Sequence, residues 1–143
     1  MVAIDTNILV AAHRRGTPHH EEAFALLRSF AEGDVPFALF WPSLYEFLRV
    51  VTHHRVFDPP STAREAFEAI ESFLAPPAVR VLSETPDHLA LARRVIGQAG
   101  VTGNLVHDAH LVVLALEHGV HEILTLDADF RRFPQIASRN PFA

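Results

Sequence analysis

Short apolar runs recur along the chain, separated by longer stretches in which polar residues interrupt the apolar ones at helical spacing. Four of these runs are rich in valine, isoleucine, leucine or phenylalanine, which is typical of buried strands. They lie at Val2–Ile4, Phe37–Phe40, Val79–Leu82 and Ile123–Leu126. A weaker fifth strand is predicted near Ile136–Ser138.

The stretches between these runs predict helices, because their apolar residues recur every three or four positions. The first two predicted helices span Asn7–Ala12 and roughly Pro18–Ala31, the third begins near Pro42, and the fourth follows Thr62. The fifth begins at Thr85 and Pro86 and ends at Gly97 or Gly100, and the sixth spans His107–His118. Val101–Val106 is expected to be a loop. Thr62 and Glu65 have the spacing of a capping box, and Gly33 and Gly119 stand where a helix is expected to stop.

Two of these helices have well-defined apolar faces. We expect the helix from Pro42 to turn Leu44, Phe47, Leu48 and Val51 inward, and the helix after Thr62 to turn Phe67, Ile70, Phe73 and Leu74 inward. Strands that alternate with helices predict an α/β fold whose sheet is mostly parallel and covered on both faces. Because no repeat or linker interrupts the pattern, we expect residues 1–143 to form a single domain.

Acidic residues follow two of the predicted strands. Asp5 comes directly after the first strand, and Asp127 comes after the fourth. In open parallel sheets, ligands bind beyond the carboxyl ends of the strands, at a change in strand order. We therefore expect these two carboxylates to emerge at the same edge of the sheet.

The composition is that of a globular protein, with 49% hydrophobic and 20% charged residues. No apolar run approaches the roughly 20 residues that span a bilayer, and no basic segment precedes an apolar one at the N-terminus. We therefore expect neither a membrane span nor a secretory signal. The chain has no cysteine, which fits a cytoplasmic protein.

The basic residues narrow the choice of chemistry. All 12 of them are arginine, so the chain has no lysine for a phosphate-binding loop or for Schiff-base catalysis. The missing cysteine excludes thiol catalysis, and no serine lies in a Gly-x-Ser-x-Gly motif. The net charge of −5 argues against a broadly basic surface that coats nucleic acid, although carboxylates can bind phosphate through a metal ion.

Four acidic positions stand at the ends of strands or beside buried helical segments. They are Asp5, Glu46, Asp108, and either Asp127 or Asp129. A carboxylate among core residues is costly to bury unless it is paired or binds a cation. Their conjunction predicts a metal site, because Mg²⁺ and Mn²⁺ prefer oxygen ligands and can activate water for attack on a phosphodiester.

Each acid also has a simpler explanation when it is taken alone. Asp5 is a suitable helix N-cap, and Asp108 complements a helix dipole from the first turn. Glu46 has the usual character of a solvated helical residue, and Ser43 three positions earlier permits a capping box. Either aspartate after the fourth strand suits an Asx turn.

The histidines and arginines offer further candidates. The chain has 10 histidines, but no His-Glu-x-x-His or comparable spacing, so a zinc site is the weaker hypothesis. We expect His107 or His110 to support the acidic site instead. The arginines that we expect near the predicted active edge, where a guanidinium suits phosphate, are Arg14, Arg15, Arg49, Arg55, Arg131 and Arg132.

At these residues the chain resembles the PIN-domain nucleases, and specifically the VapC-type toxins of toxin–antitoxin pairs. The resemblance covers essentially the whole chain and rests on four segments. They are Ile4–Asn7, Glu46 with its helix, Asn104–Leu111 and Leu124–Pro134, the last followed by Asn140-Pro141-Phe142.

The resemblance implies a three-layer α/β/α sandwich, a parallel sheet of four to five strands and Mg²⁺- or Mn²⁺-dependent endoribonuclease activity. It places the metal-binding acids at Asp5, Glu46, Asp108 and Asp127 or Asp129, with Thr6, Asn7 and Thr125 as polar supports. It also implies an RNA substrate, a homodimer or toxin–antitoxin hetero-oligomer, and inhibition by a VapB-like antitoxin bound in an apolar groove. Aromatic residues that we expect to line that groove are Phe37, Phe40, Trp41, Tyr45, Phe47 and Phe57.

Three other functions remain open at this stage. A PIN nuclease that acts in RNA maturation or DNA processing would need no antitoxin. A phosphotransfer protein built on an aspartate after the first strand would ordinarily use a lysine, which this chain lacks. A catalytically inactive scaffold would retain the acids only as helix caps, and it would not bind Mn²⁺.

Overall fold

The fold consists of five strands and six α-helices that alternate along the chain. The computed structural model describes residues 1–143. The strands are β1 (Val2–Ile4), β2 (Phe37–Phe40), β3 (Val79–Leu82), β4 (Glu122–Leu124) and β5 (Ala137–Arg139). The helices are α1 (Thr6–His13), α2 (His20–Glu32), α3 (Trp41–Val51), α4 (Ala63–Leu74), α5 (His88–Ala99) and α6 (Leu105–Glu117), with a short 3₁₀ helix at Ala128–Arg132.

The sheet is parallel throughout and has the order β3-β2-β1-β4-β5. Strand β1 lies at the centre, with Ala3 opposite Ala38 of β2 and Ile123 of β4. The chain first adds strands on one side of β1 and then crosses to the other side, so the strand order changes between β1 and β4. The segments after these two strands, at Asp5 and Thr125, therefore flank the crevice where such folds bind ligands.

Alternation along the strands divides the core into two layers. Ala3, Ala38 and Ile123 face one apolar cluster, which includes much of α6 and Val95 of α5. Their neighbours along the strands face a second cluster, formed with α1, α2, α3 and α4. Successive strand side chains point to opposite faces, so the short apolar strands serve both layers. The predicted three-layer α/β/α sandwich with a mostly parallel sheet is confirmed.

Several helix boundaries differ from the sequence prediction. Helix α2 begins at His20 rather than near Pro18, because His19 adopts a left-handed conformation at φ 66°. Helix α6 begins at Leu105, so the last two residues of the predicted Val101–Val106 loop are helical. The stop at Gly119 is confirmed by its positive φ of 69°, which glycine adopts without strain.

Two expectations about α3 and α4 have opposite outcomes. The capping box of α4 is present, with Thr62 and Glu65 each accepting a hydrogen bond from the other's backbone N–H. The alternative capping box of Ser43 and Glu46 is wrong, because α3 begins at Trp41 and Ser43 is already inside it. Phe67 was expected to face inward but is 52% exposed. None of the helices has the length and apolar character that a membrane crossing requires.

Candidate active site

Asp5 stands at the junction between the central strand and α1. Its backbone N–H donates to the carbonyl of Leu124 at 3.0 Å and so extends the pairing of β1 with β4. Its side chain caps α1 by accepting a hydrogen bond from the backbone N–H of Thr6 at 2.8 Å. The second carboxylate oxygen accepts a hydrogen bond from the Thr125 hydroxyl at 2.7 Å. Asp5 is therefore both an N-cap and a carboxylate held in a fixed orientation, with only 7% of its surface exposed.

Thr125 connects the two segments that flank the crevice. Besides donating to Asp5, its buried hydroxyl accepts hydrogen bonds from the Asn7 side-chain amide at 3.2 Å and from the backbone N–H of Asp127 at 3.0 Å. The Asn7 amide oxygen in turn accepts from the backbone N–H of Leu126 at 3.2 Å. These bonds fix the segment after β4 against the start of α1. The residues predicted as polar supports are thus in contact with the acids or with their backbone.

Thr6 links Glu46 to this network from the opposite side. The Thr6 hydroxyl lies 3.2 Å from Glu46 Oε2 and 3.3 Å from the backbone carbonyl of Ser43, both of which accept from it. Glu46 itself is exposed on α3, and Arg49 Nη2 lies 3.9 Å from its other oxygen. Glu46 is therefore aimed at the crevice by a buried threonine.

The remaining acids approach from α6 and from the 3₁₀ helix. One carboxylate oxygen from each of Asp108, Asp127 and Asp129 lies within 4.8 Å of the other two. Asp127 Oδ1 accepts a hydrogen bond from the backbone N–H of Asp129 at 2.8 Å and caps the 3₁₀ helix. The choice between Asp127 and Asp129 is thus not exclusive, because the turn brings both carboxylates to Asp108. We call the five acids Asp5, Glu46, Asp108, Asp127 and Asp129 the acidic cluster.

The negative charges of the acidic cluster repel one another. Burial raises the pKa of Asp5 to about 6, against the lowering effect of the hydrogen bonds from Thr125 and Thr6, and the charges of Glu46 and Asp127 raise it further. Partial burial also raises the pKa of Asp108 to about 6, and the negative charges of the four other acids add to the shift. Like charges in a crevice disfavour ionisation in this way. The cluster is consequently strained at neutral pH.

The donor set fits a hard divalent cation. No arginine or histidine forms an ion pair with Asp5, Asp108, Asp127 or Asp129, and Glu46 has only a long contact with Arg49. Carboxylate oxygens without a basic partner, held by threonine and asparagine, are the ligands that Mg²⁺ and Mn²⁺ prefer. A bound cation would offset the repulsion that raises the pKa of Asp5 and Asp108.

The predicted arginines fall into two groups. Arg49 lies beside Glu46, and Arg131 and Arg132 are exposed on the 3₁₀ helix that Asp127 caps. Arg14, in contrast, packs over the Phe57 ring at 4.4 Å and donates to Ser61 and Pro59, at the end of α1 away from Asp5. Arg15 lines an apolar groove, and Arg55 lies in the turn after α3. The expectation that Arg14 and Arg15 stand near the acids is therefore wrong, and the expectation for Arg55 stays a prediction.

The prediction that His110 supports the acidic site is also wrong. Its Nε2 atom lies 2.7 Å from Glu84 Oε1, on the side of α6 that faces the start of α5. His107 is exposed and has no side-chain hydrogen bond. Residues 108 and 110 project from different sides of a helix, so proximity in sequence did not place His110 among the acids.

The structure contains an apolar groove, but most of the aromatic residues expected in a groove do not line it. It has a volume of about 530 Å³ and runs between α1, α2, α4 and the start of β2. Of the aromatics assigned to it, only Phe37 lines it; Phe40 and Phe47 are buried core, and Trp41 and Tyr45 are exposed on α3. Its lining includes Leu9, Ala12, Arg15, Phe24, Leu27, Arg28, Ala31, Leu39, Ala69 and Phe73. The feature of the sequence that indicates this groove is the helical spacing of Phe24, Leu27 and Ala31.

Replacing Thr125 by valine should weaken the hydrogen bonding that holds Asp5, because valine has nearly the shape of threonine but no hydroxyl. The variant removes a charge-assisted hydrogen bond to Asp5, so we expect the pKa of Asp5 to rise above its present value. We also expect the free energy of unfolding at pH 8 to fall by about 1.5–3 kcal/mol, since Asp5 is then ionised. Carboxyl NMR titration and urea unfolding measure the two effects. Thr102→Val, at an exposed loop position, is the control, and an unchanged Asp5 pKa in Thr125→Val would contradict the assignment.

Comparison with known proteins agrees with this geometry. The model of the PIN domain family matches residues 2–136. The chain is 40% identical to Ribonuclease VapC48 of Mycobacterium tuberculosis, over 97% of this chain and 96% of that protein. It is 36% identical to Ribonuclease VapC25 of the same organism, over 99% of each chain.

Solved structures show the same fold at lower identity. One is VapC20 of Mycobacterium tuberculosis, a sarcin-ricin loop cleaving toxin, with a TM-score of 0.69 and 20% identity over 95% of this chain and 98% of that one. Another is VapBC2 of Rickettsia felis bound to a promoter DNA fragment, with a TM-score of 0.69 and 17% identity over 97% and 98% of the two chains. From the family match and the identities, the chain belongs to the PIN-domain family and, within it, to the VapC ribonucleases.

Proposed function

We propose that this protein is a metal-dependent endoribonuclease that acts as the toxin of a toxin–antitoxin pair. The observation that carries the proposal is the convergence of the five carboxylates of the acidic cluster at the β1–β4 switch point. The relatives named as VapC ribonucleases supply the substrate class. Since that substrate is RNA, the cytoplasm is the place of action that we propose.

The residues of the cluster have different roles in the proposed reaction. Asp5 and Asp108 are the principal ligands of Mg²⁺, or of Mn²⁺ as its substitute, and Asp127 with Asp129 completes the set. A bound divalent cation supplies activation of water and stabilisation of charge at the scissile phosphate. Glu46, exposed and oriented by Thr6, is placed to hold the attacking water and to accept its proton.

Thr6, Asn7 and Thr125 hold the acids in position. Thr125 and the Thr6 backbone N–H donate to the two oxygens of Asp5 and so hold that carboxylate in one orientation. Asn7 and Thr125 hold the segment that carries Asp127. Arg49, Arg131 and Arg132 lie at the rim, where a guanidinium can bind the RNA backbone.

Expression in a bacterial host tests this function. Induction of the wild-type protein should arrest growth and should create new RNA 5′ ends at a limited set of sites, which sequencing of 5′ ends would locate. The Asp5→Asn variant, expressed to the same level, is the control. Growth arrest without new 5′ ends, or new ends that the variant also produces, would overturn the proposed activity.

We further propose that the apolar groove binds a VapB-like antitoxin through an amphipathic helix. The groove is lined mainly by apolar side chains, and Arg15, Arg28, His13 and His20 lie among them. An occupant with an apolar face and acidic flanks matches this pattern, as in other helix-in-groove complexes. Solved relatives of the same fold include VapBC assemblies, and a homodimer or a toxin–antitoxin hetero-oligomer is the corresponding assembly here.

Phe24→Asp should weaken the antitoxin complex while leaving the nuclease intact. Phe24 lines the groove and is 55% exposed, so the change removes an apolar contact and adds a charge that repels an acidic flank. We expect a loss of about 2–4 kcal/mol in binding, the range of interface hot spots. Titration with the protein encoded next to this gene measures it.

Phe67→Asp is the matched control for this experiment. Phe67 is 52% exposed on α4 and does not line the groove. Equal weakening by both variants, or none by Phe24→Asp, would contradict the assignment of the groove. If no adjacent gene encodes a binding partner, a PIN nuclease that acts without an antitoxin becomes the better description.

A further inference from the structure

A second group of metal-ligating side chains lies outside the acidic cluster. Glu84 follows β3, His88 is the first residue of α5, and His110 lies in the second turn of α6. One ligand atom from each of these three residues lies within 4.8 Å of the other two. The three elements are far apart in the sequence, which is why no local motif indicated the group.

His88 is oriented for a metal by a carboxylate that lies behind it. The side chain of Glu117 is only 2% exposed, and its Oε2 atom lies 2.8 Å from His88 Nδ1. When Nδ1 donates to this carboxylate, the lone pair of His88 is on Nε2. A buried carboxylate that fixes the tautomer of a histidine is the usual outer partner of a metal-bound imidazole.

Glu117 is itself held as a carboxylate. Its Oε1 atom accepts hydrogen bonds from the hydroxyl of Thr85 at 2.7 Å and from the backbone N–H of Thr85 at 3.3 Å. Its Oε2 atom is occupied by His88 at 2.8 Å, so both oxygens of Glu117 have a partner. The group therefore rests on a rigid charged support.

The open side of the group is accessible to solvent. His110 Nε2 lies 2.7 Å from Glu84 Oε1, and the side chains of His110 and Glu84 are 30% and 45% exposed. The rings of His88 and His110 are edge to face with centroids 5.3 Å apart. Two imidazoles and one carboxylate with a solvent-facing fourth position form a ligand set that zinc uses, with metal–ligand distances of roughly 2.0–2.2 Å.

We propose that Glu84, His88 and His110 bind one Zn²⁺ ion, in place of the direct contact between His110 and Glu84. The ion ties the segment after β3 and the start of α5 to α6, the helix that also carries Asp108. The two sites select different metals, because imidazole suits zinc whereas an all-carboxylate set suits Mg²⁺ or Mn²⁺.

Calorimetric titration with Zn²⁺ tests this site in the full-length Asp5→Asn/Asp108→Asn protein, in which the acidic cluster is disabled. We expect one Zn²⁺ per chain and a rise in melting temperature when it binds. His110→Gln and Glu84→Gln, which change partly exposed side chains, should each weaken binding at least about 10-fold. Co²⁺ offers an independent readout, since a four-coordinate site gives much stronger visible absorption than an octahedral one.

The adjacent pair His53 and His54 provides the matched control. Their rings stack with centroids 5.3 Å apart, but neither forms an ion pair with a carboxylate. The His53→Gln/His54→Gln variant should bind Zn²⁺ like its parent. The proposal is overturned if the parent shows no saturable binding, if His110→Gln and Glu84→Gln bind as tightly as the parent, or if the control loses the ion.

Discussion

Asp108→Asn is expected to reduce the rate of RNA cleavage by at least about 10²–10³-fold while the protein stays folded. The change keeps the shape of the side chain but removes a charged carboxylate from the acidic cluster, where Asp127 and Asp129 lie close to it. Losing a single electrostatic contact in a preorganised site commonly has this effect. Cleavage of an RNA identified in the expression experiment, measured with saturating Mg²⁺, gives the rate.

Asp87→Asn serves as the control for this loss. Asp87 is exposed, stands at the start of α5 and makes no side-chain cap hydrogen bond. Asp87→Asn changes the net charge by the same amount as Asp108→Asn, but at a residue on another element and outside the acidic cluster. Wild-type-like cleavage by purified Asp108→Asn would sink the proposed mechanism.

The same acids should make the metal-free protein less stable as the pH rises. The pKa values of Asp5 and Asp108 are about 6 in the folded protein, against an ordinary value of 3.8. Between about pH 4 and pH 6 the folded state binds more protons than the unfolded state. The stabilisation that these two groups contribute to the folded state is therefore complete below about pH 4 and is lost as the pH rises through 6. Since one pKa unit corresponds to about 1.4 kcal/mol, buried Asp5 contributes up to about 3 kcal/mol, and the half-buried Asp108 contributes less.

Urea unfolding between pH 4 and pH 8 in the presence of EDTA measures this effect. Asp108→Asn should flatten the pH profile and should be more stable than the wild type at pH 8, although it is inactive. Mg²⁺ or Mn²⁺ should raise the stability of the wild type at pH 8 much more than that of the variant. Parallel profiles for the two proteins would contradict the account of a repulsive cluster.

The sequence predicted the strands and the crevice well, for a physical reason. Short runs such as Val2–Ile4 are buried on both faces, and that burial produces an unmistakable apolar signal. A parallel sheet then requires that Asp5 and the segment after β4 meet at one edge. The prediction that β5 exists is confirmed too, although its bounds shift by one residue to Ala137–Arg139.

Features that depend on tertiary contacts were not accessible in this way. Helical spacing placed Phe67 on the inward face of α4, yet it is 52% exposed. Helical spacing placed His110 on α6 but did not show which way its side chain points. The side chain contacts Glu84 and not the acidic cluster. The Glu84, His88 and His110 group needs three elements to converge, which no spacing within one segment reveals.

The acidic cluster itself falls between these cases. The sequence indicates a burial cost for Asp5 and Asp108, because Asp5 follows the apolar strand Val2–Ile4 and Asp108 precedes the apolar part of α6. The pair Asp127 and Asp129 depends on the turn that Asp127 caps, and local spacing permitted either one or both. Glu46 carried the weakest signal, since an exposed helical glutamate is ordinary and only the contact with Thr6 distinguishes it.

The most direct test of the proposed metal dependence is to remove and restore the cation. Purified wild-type protein treated with EDTA should not cleave RNA, and added Mg²⁺ or Mn²⁺ should restore cleavage to saturation. The Asp5→Asn/Asp108→Asn protein should stay inactive at the same concentrations, and Mn²⁺ calorimetry should show binding to the wild type alone. Undiminished cleavage in EDTA, or cleavage that the metal restores equally in the variant, would contradict the role assigned to the acidic cluster.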